Sequence, residues 1–248
     1  MVRVIVVTKC EDVPTKPVDD KPMLVYWNLL GLVQFNRFAL IQADVDFCDV
    51  RIDADEPSCA NFRKCWMDAK AGALQDVLDF PNLPYFLDGH GENKIALTQS
   101  NAILRHIGRR YNLMGNPCKE HLVDMIVDEL SDVESNITRR AYAHGKDAIA
   151  SWYETDIPDV MKRFLPMIDN SFLTGDQVSI ADCKFYSFLY KLQLIEDEMG
   201  GPKTADIMND TVRAYMQRFE ALPRIKAYMA SPDYQKGPLN NRHAKWGG

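Results

Sequence analysis

The chain has 248 residues, 46% of them hydrophobic and 26% charged. That balance excludes a disordered or low-complexity polymer and leaves room for one large folded unit or two small ones. Twenty-nine Lys and Arg stand against 35 Asp and Glu, a net charge of −6, which argues against a nucleic-acid binder whose affinity rests on concentrated positive charge. No apolar run approaches the roughly 20 residues of a membrane helix, and the opening MVRVIVV is too short, and its sequel too acidic, for a signal or transit peptide. The six cysteines, Cys10, Cys48, Cys59, Cys65, Cys118 and Cys183, contain no CxxC pair. They read as reduced thiols, so a cytoplasmic chain with no membrane span is expected.

Residues 1–22 carry a short β-prone VIVV followed by three prolines and several charges. They read as an appended arm, a flexible leader unless a partner or the protein's own surface orders it. From Met23 the pattern is strand, helix, strand: MLVYWN is apolar and aromatic, VQFNRFALIQA has helical spacing, and DFCDVRI alternates in period two. A second helix is predicted over CANFRKCWMDAKAG. LPYFLD and KIALTQ then read as short strands separated by the turn-forming DGHGEN. The next helix opens at TQSNAILRHIGRRY, with Thr98 or Ser100 as its cap. This order predicts a thioredoxin-like layer over residues 23–113.

Past Gly115 and Pro117 the strand signal disappears. Segments 117–145, 155–169, 179–197 and 204–230 read as helices, which predicts a second, all-α domain over residues 117–248. Its centre is the segment after Ser179. There Ser179 and Asp182 stand in a capping arrangement, and Phe185, Phe188, Leu189, Leu192 and Ile195 form an apolar stripe. The five histidines show no pairing at metal-ligand spacing, so no metal is expected. No phosphate-binding or dinucleotide-binding glycine motif and no nucleophile elbow is present.

VYWNLLGL at 25–32, DFPNLPYF at 79–86, TQSNAILRHIGRRYNL at 98–113 and QRFEALPRIKAYM at 217–229 resemble, in order, the mu-class glutathione S-transferases, and the likeness runs from about Met23 to Trp246. The resemblance implies an α/β plus all-α fold, a thioredoxin-like domain followed by an all-helical one. It implies glutathione as co-substrate, a homodimer or related heterodimer, and conjugation of the thiolate to hydrophobic electrophiles of the detoxification type.

The resemblance also assigns roles to residues whose chemistry suits them. Pro84 would follow a cis peptide bond, so that Leu83 offers its backbone N–H and C=O to the peptide as a sheet edge does. Gln99 and Ser100, at a helix N-terminus, suit the γ-glutamyl carboxylate. Arg63, Trp66 and Lys70, three and four apart on one helix, would hold the glycyl carboxylate, with Trp27 and Asn82 beside them. Asp132 would reach across a twofold interface to the partner's glutathione. Phe80 would insert into the neighbouring subunit, and Arg105 and Arg109 would face its acidic residues, with Asp124 and Asp128 as candidates.

Tyr26, at the end of the first predicted strand, would be catalytic. A free thiol has a pKa near 8.5, so only a few per cent is thiolate at neutral pH. A phenol O–H donated to the sulfur favours the charged form, and the tyrosine need not ionise. Leu29, Leu30, Leu32 and Tyr142 are candidates for an apolar electrophile pocket, Tyr142 as a hydrogen-bond donor to developing charge. Leu30 stands where the family pattern has an arginine, and the interval from Trp66 to Asn82 is longer than usual. These departures and the arm leave a rival expectation, a catalytically weak or inactive dimer acting as a structural subunit of a larger assembly joined through residues 1–22.

Overall fold

In the computed structural model the described residues are 2–53, 62–169, 171–200 and 207–248, without the side chains of Cys10 and of residues 62–65. Five strands, β1 (Val2–Val7), β2 (Met23–Trp27), β3 (Phe47–Ile52), β4 (Tyr85–Asp88) and β5 (Ile95–Thr98), form one sheet in the order β1-β3-β2-β4-β5. β3 runs parallel to both β1 and β2, whereas β4 is antiparallel to β2 and β5. Three helices flank it: α1 (Gln34–Gln42), α2 (Phe62–Ala71) and α3 (Ser100–Arg110). Alternation along β2 divides its side chains between two cores. Leu24 and Tyr26 join Phe35, Phe38, Ile103 and Ile107 of α1 and α3, while Met23 and Val25 join Trp66, Leu74 and Leu78 on the α2 side.

Of the alternatives open for residues 1–22, β1 takes the protein's own surface. Val2–Val7 pairs with Phe47–Ile52 in continuous parallel register, so residues 1–22 supply an edge strand of the chain's own sheet. β-branched residues fit a pleated surface, and β3 otherwise presents a row of unpaired backbone groups. The connection back to β2 is fastened as well: Val13 is buried, and Tyr85 donates its hydroxyl to the Pro14 carbonyl at 2.6 Å.

The polar half of β3 does not face water, as the period-two reading implied. Asp49 and Arg51 are buried with Arg37 of α1, whose Nε donates to Asp49 at 3.0–3.1 Å. Arg51 Nε donates to Asp49 Oδ2 at 2.7 Å, and its other nitrogens donate to Gln235 Oε1 and the Asp233 carbonyl at 2.7 and 2.5 Å. The buried carboxylate is tolerated because two guanidinium groups pair it and hydrogen-bond it. This cluster binds the sheet to the C-terminal tail.

The rest of the chain is helical: α4 (Glu120–Ala143), α5 (Lys146–Thr155), α6 (Ile157–Phe164), α7 (Ile180–Glu198), α8 (Asp210–Glu220) and α9 (Pro223–Met229). α5 lies in a stretch from which no helix was expected. The segment 204–230 yields α8 and α9, divided at Leu222 (ψ 126°), because a residue before proline avoids the helical region. α7 crosses the centre, with its start fixed by Asp182. That buried carboxylate accepts from the Ser179 N–H, the Ser179 hydroxyl, the Leu173 N–H and Tyr215 OH at 2.8–2.9 Å. Among the described residues no helix is long and apolar enough to cross a membrane.

Candidate functional site

Tyr26 ends β2 with its ring in the larger core, and the loop after it turns its hydroxyl into a defined donor. The Leu32 N–H donates to Tyr26 Oη at 3.3 Å, so that bond leaves the phenolic proton uncommitted. Burial pushes the phenol up to about 12, against a smaller lowering by the Leu32 N–H. Tyr26 is therefore protonated at neutral pH. The turn requires glycine: Gly31 has φ +43°, and a Cβ there would lie 2.6–2.7 Å from the Tyr26 ring and hydroxyl. The C-terminal tail holds the same turn from outside, since Leu30 and Gly31 donate their N–H groups to the carbonyls of Pro238 and Leu239 at 2.9 and 3.0 Å.

Tyr26, Trp27, Leu29, Leu32 and Tyr142 line one cleft. Leu30 does not join them; it is buried in the core. Tyr142 accepts from the Asn241 N–H at 3.2 Å, which fixes the ring from the tail. The lining also has a polar part. Glu134 of α4 and Lys191 of α7 form part of it together with Thr138, Asn240 and Asn241. The apolar pocket expected there is thus corrected to one lined by both apolar and polar side chains. Sequence reasoning missed Glu134 and Lys191 because it read α7 only through its apolar stripe and α4 only through the aspartates it assigned to a subunit interface. The available signal was Lys184, Ser187 and Lys191, spaced three and four apart on the helix with the strongest buried stripe.

A second pocket, about 430 Å³, shares Leu32 and Glu134 with the first and includes Ser100 and Asn101 at the start of α3. Neither Thr98 nor Ser100 is the cap expected of them. Thr98 is held in β5 opposite Tyr85, so Gln99 becomes the junction at φ 69° and ψ 110°, and no side chain caps the helix. A non-glycine residue in that region is strained, and strain of this kind concentrates at functional sites. The Leu83–Pro84 bond is cis; Pro84 is buried, Leu83 half-buried and Asn82 exposed.

Trp66 of α2 is buried and meets Trp27 edge-on, with ring centroids 6.1 Å apart, which sets α2 against the end of β2. Lys70 lies half-buried in the last turn of that helix, and the Arg63 side chain lies outside the described residues. Asp132 is exposed on α4, and Phe80 is 75% exposed on the loop before β4. Arg105 and Arg109 meet the aspartates named for them. Within the one chain, Arg105 is 2.8 Å from Asp124 and 2.6 Å from Asp128, and Arg109 is 2.6 Å from Asp124. α3 and the first half of α4 lie side by side, so these charges are paired before any partner arrives.

A thioredoxin-like sheet and an all-helical second half thus meet at the buried Tyr26. The family described as "Glutathione S-transferase, C-terminal domain" matches residues 131–232. The chain is 34% identical over 236 residues to a glutathione S-transferase of Tyrophagus putrescentiae, covering 93% of this chain and 99% of the relative. It is also 34% identical over 227 residues to human glutathione S-transferase Mu 3, covering 91% and 95% of the two chains. A solved structure of a pi-class glutathione S-transferase from Onchocerca volvulus superposes with a TM-score of 0.70 at 24% identity, covering 90% of this chain and 99% of that one. The chain belongs to the glutathione S-transferase family, and its likeness is to the mu class.

Proposed function

We propose that the chain is a glutathione transferase that binds glutathione along the sheet edge and adds its sulfur to an electrophile held in the cleft beside Tyr26. The observation that carries the reading is the state of Tyr26: buried, anchored by the Leu32 N–H and protonated well above neutral pH. Such a phenol donates its proton to the glutathione sulfur and stabilises the thiolate without ionising. Leu83 offers its backbone to the cysteinyl unit. Gln99 and Ser100, at the uncapped start of α3, receive the γ-glutamyl carboxylate on free N–H groups. Trp27, Arg63, Trp66, Lys70 and Asn82 hold the glycyl end.

The second substrate lies against Leu29 and Leu32, and Tyr142 donates to charge that develops on it. Holding thiolate and electrophile together supplies proximity on top of activation. The working unit is a dimer, with Asp132 completing the neighbouring site and Phe80 seated in the other subunit; an aromatic side chain 75% exposed gains most by such burial.

Titrating the thiolate absorbance of bound glutathione tests this reading. A bound thiol about two pKa units below the free value, worth roughly 2.7 kcal/mol, is expected. Tyr26→Phe should return most of that shift while leaving glutathione bound. An unshifted thiol, or no binding of glutathione, defeats the proposal.

A further inference from the structure

Beside the cleft lies a buried cluster of two lysines and one glutamate, of which Glu134 and Lys191 line the cleft and Lys184 lines the neighbouring pocket. Glu134, Lys184 and Lys191 are 4%, 2% and 4% exposed. Lys191 Nζ donates to Glu134 Oε1 at 2.5 Å, and Lys184 Nζ lies 3.7 Å from Glu134 Oε2. One carboxylate thus serves two ammonium groups.

The two lysines are not equivalent. Lys184 is satisfied inside the protein, donating to Asn101 Oδ1 at 2.7 Å and Ser131 Oγ at 2.5 Å, with the Phe35 ring 5.0 Å away. Lys191 has Glu134 as its one hydrogen-bond partner among the described residues, and both line the cleft that contains Tyr26 and Tyr142. An ammonium carries three donors. Lys191 therefore retains donor capacity in the cleft, at the edge of a buried cluster with one surplus positive charge, where an anion is worth far more than at an exposed surface. An apolar electrophile would leave that charge uncompensated.

We propose that Lys191 is a specificity-determining residue, and that the second substrate is an aryl or alkenyl electrophile bearing a carboxylate, which Lys191 pairs while the glutathione thiolate attacks the reactive carbon. Glu134 positions Lys191 and moderates its charge. The inference rests on the reading of this cleft as the place where glutathione meets its electrophile.

The test uses 4-chloro-3-nitrobenzoate and the neutral 4-chloro-3-nitrobenzamide. In both, the sulfur forms a C–S bond at the chlorine-bearing carbon, chloride leaves with the C–Cl electron pair, and the thiol proton passes to solvent. Each kcat/KM is divided by the uncatalysed rate constant with glutathione, which removes the difference in intrinsic reactivity. The carboxylate should be favoured about tenfold or more, as for a charge-assisted hydrogen bond. Lys191→Met should bring the ratio near one. Glu134→Gln, which removes the competing anion, should raise it, and this variant decides the matter if Lys191→Met does not fold.

A ratio near one in the wild type, or one unchanged by these substitutions, overturns the proposal. So does an equal loss for both electrophiles in Lys191→Met accompanied by a raised pKa of the bound thiol, because Lys191 would then serve the sulfur. Should no bound thiolate form at all, the glutathione reading fails separately. Calorimetric binding of 3-nitrobenzoate against 3-nitrobenzamide without glutathione then decides the anion site, and equal affinities overturn it.

Discussion

Gly31 is the residue at which a single methyl group would dismantle the site. Its left-handed backbone and the absence of space beside the Tyr26 ring act together. Gly31→Ala should cost about 1–3 kcal/mol in urea unfolding. It should also raise the pKa of the bound thiol toward the Tyr26→Phe value, since the Leu32 N–H can no longer reach the phenol. Lys184 offers a second check. Burial holds its ammonium down to about 8 from an ordinary 10.5, against the attraction of Glu134. Between those two pH values the unfolded chain keeps a proton that the folded chain has released, so the residue's contribution to stability rises with pH through that window and is lost as pH falls through about 8. The difference in unfolding free energy between wild type and Lys184→Met should follow that rise; a flat difference between pH 8 and 10.5 would show that the folded chain does not hold the ammonium down. Tyr26 was legible as a site residue through the mu-class resemblance of VYWNLLGL and its place at the end of an apolar strand. The lysines were not, because a charge on an otherwise apolar helix reads as its solvated side until the facing helix is placed.

Among the elements, β1 most changes the reading of the chain. VIVV announces a strand but carries no information about its neighbour, and a parallel edge pairing is written in backbone groups common to every sequence. Removing residues 1–7 should cost at least about 2 kcal/mol, from the burial of Val7 and the ladder to β3. It should also expose the β3 edge, so that light scattering reports self-association beyond the dimer of the intact chain. A truncated chain that is equally stable and monodisperse would show that β1 is dispensable. By contrast β2, β4, β5 and the long helices followed from periodicity and turn residues, and the start of α7 from its capping pattern. The charged strand β3 misled for a definable reason. Asp49 and Arg51 look solvated until Arg37 and a tail residue 184 positions away are brought to them.

At the scale of the whole molecule, the division into an α/β layer and a helical remainder was legible because strand signals stop where the helices begin. The assembly of the cleft was not. Tyr26, Glu134, Lys191 and Asn241 come from a strand, two helices and the tail, and no local pattern relates them. The tail also sets an order of events. The carbonyls that receive the Leu30 and Gly31 N–H groups belong to Pro238 and Leu239, and the tail's Gln235 receives the Arg51 guanidinium. During translation β2 and α1 leave the ribosome long before these residues do, so a nascent chain can build its sheet and most of its helices while the loop that presents the Tyr26 hydroxyl still lacks its outer clasp. The loop that carries Tyr26 is thereby fastened only after residues 235–239 have been made and have folded back onto it.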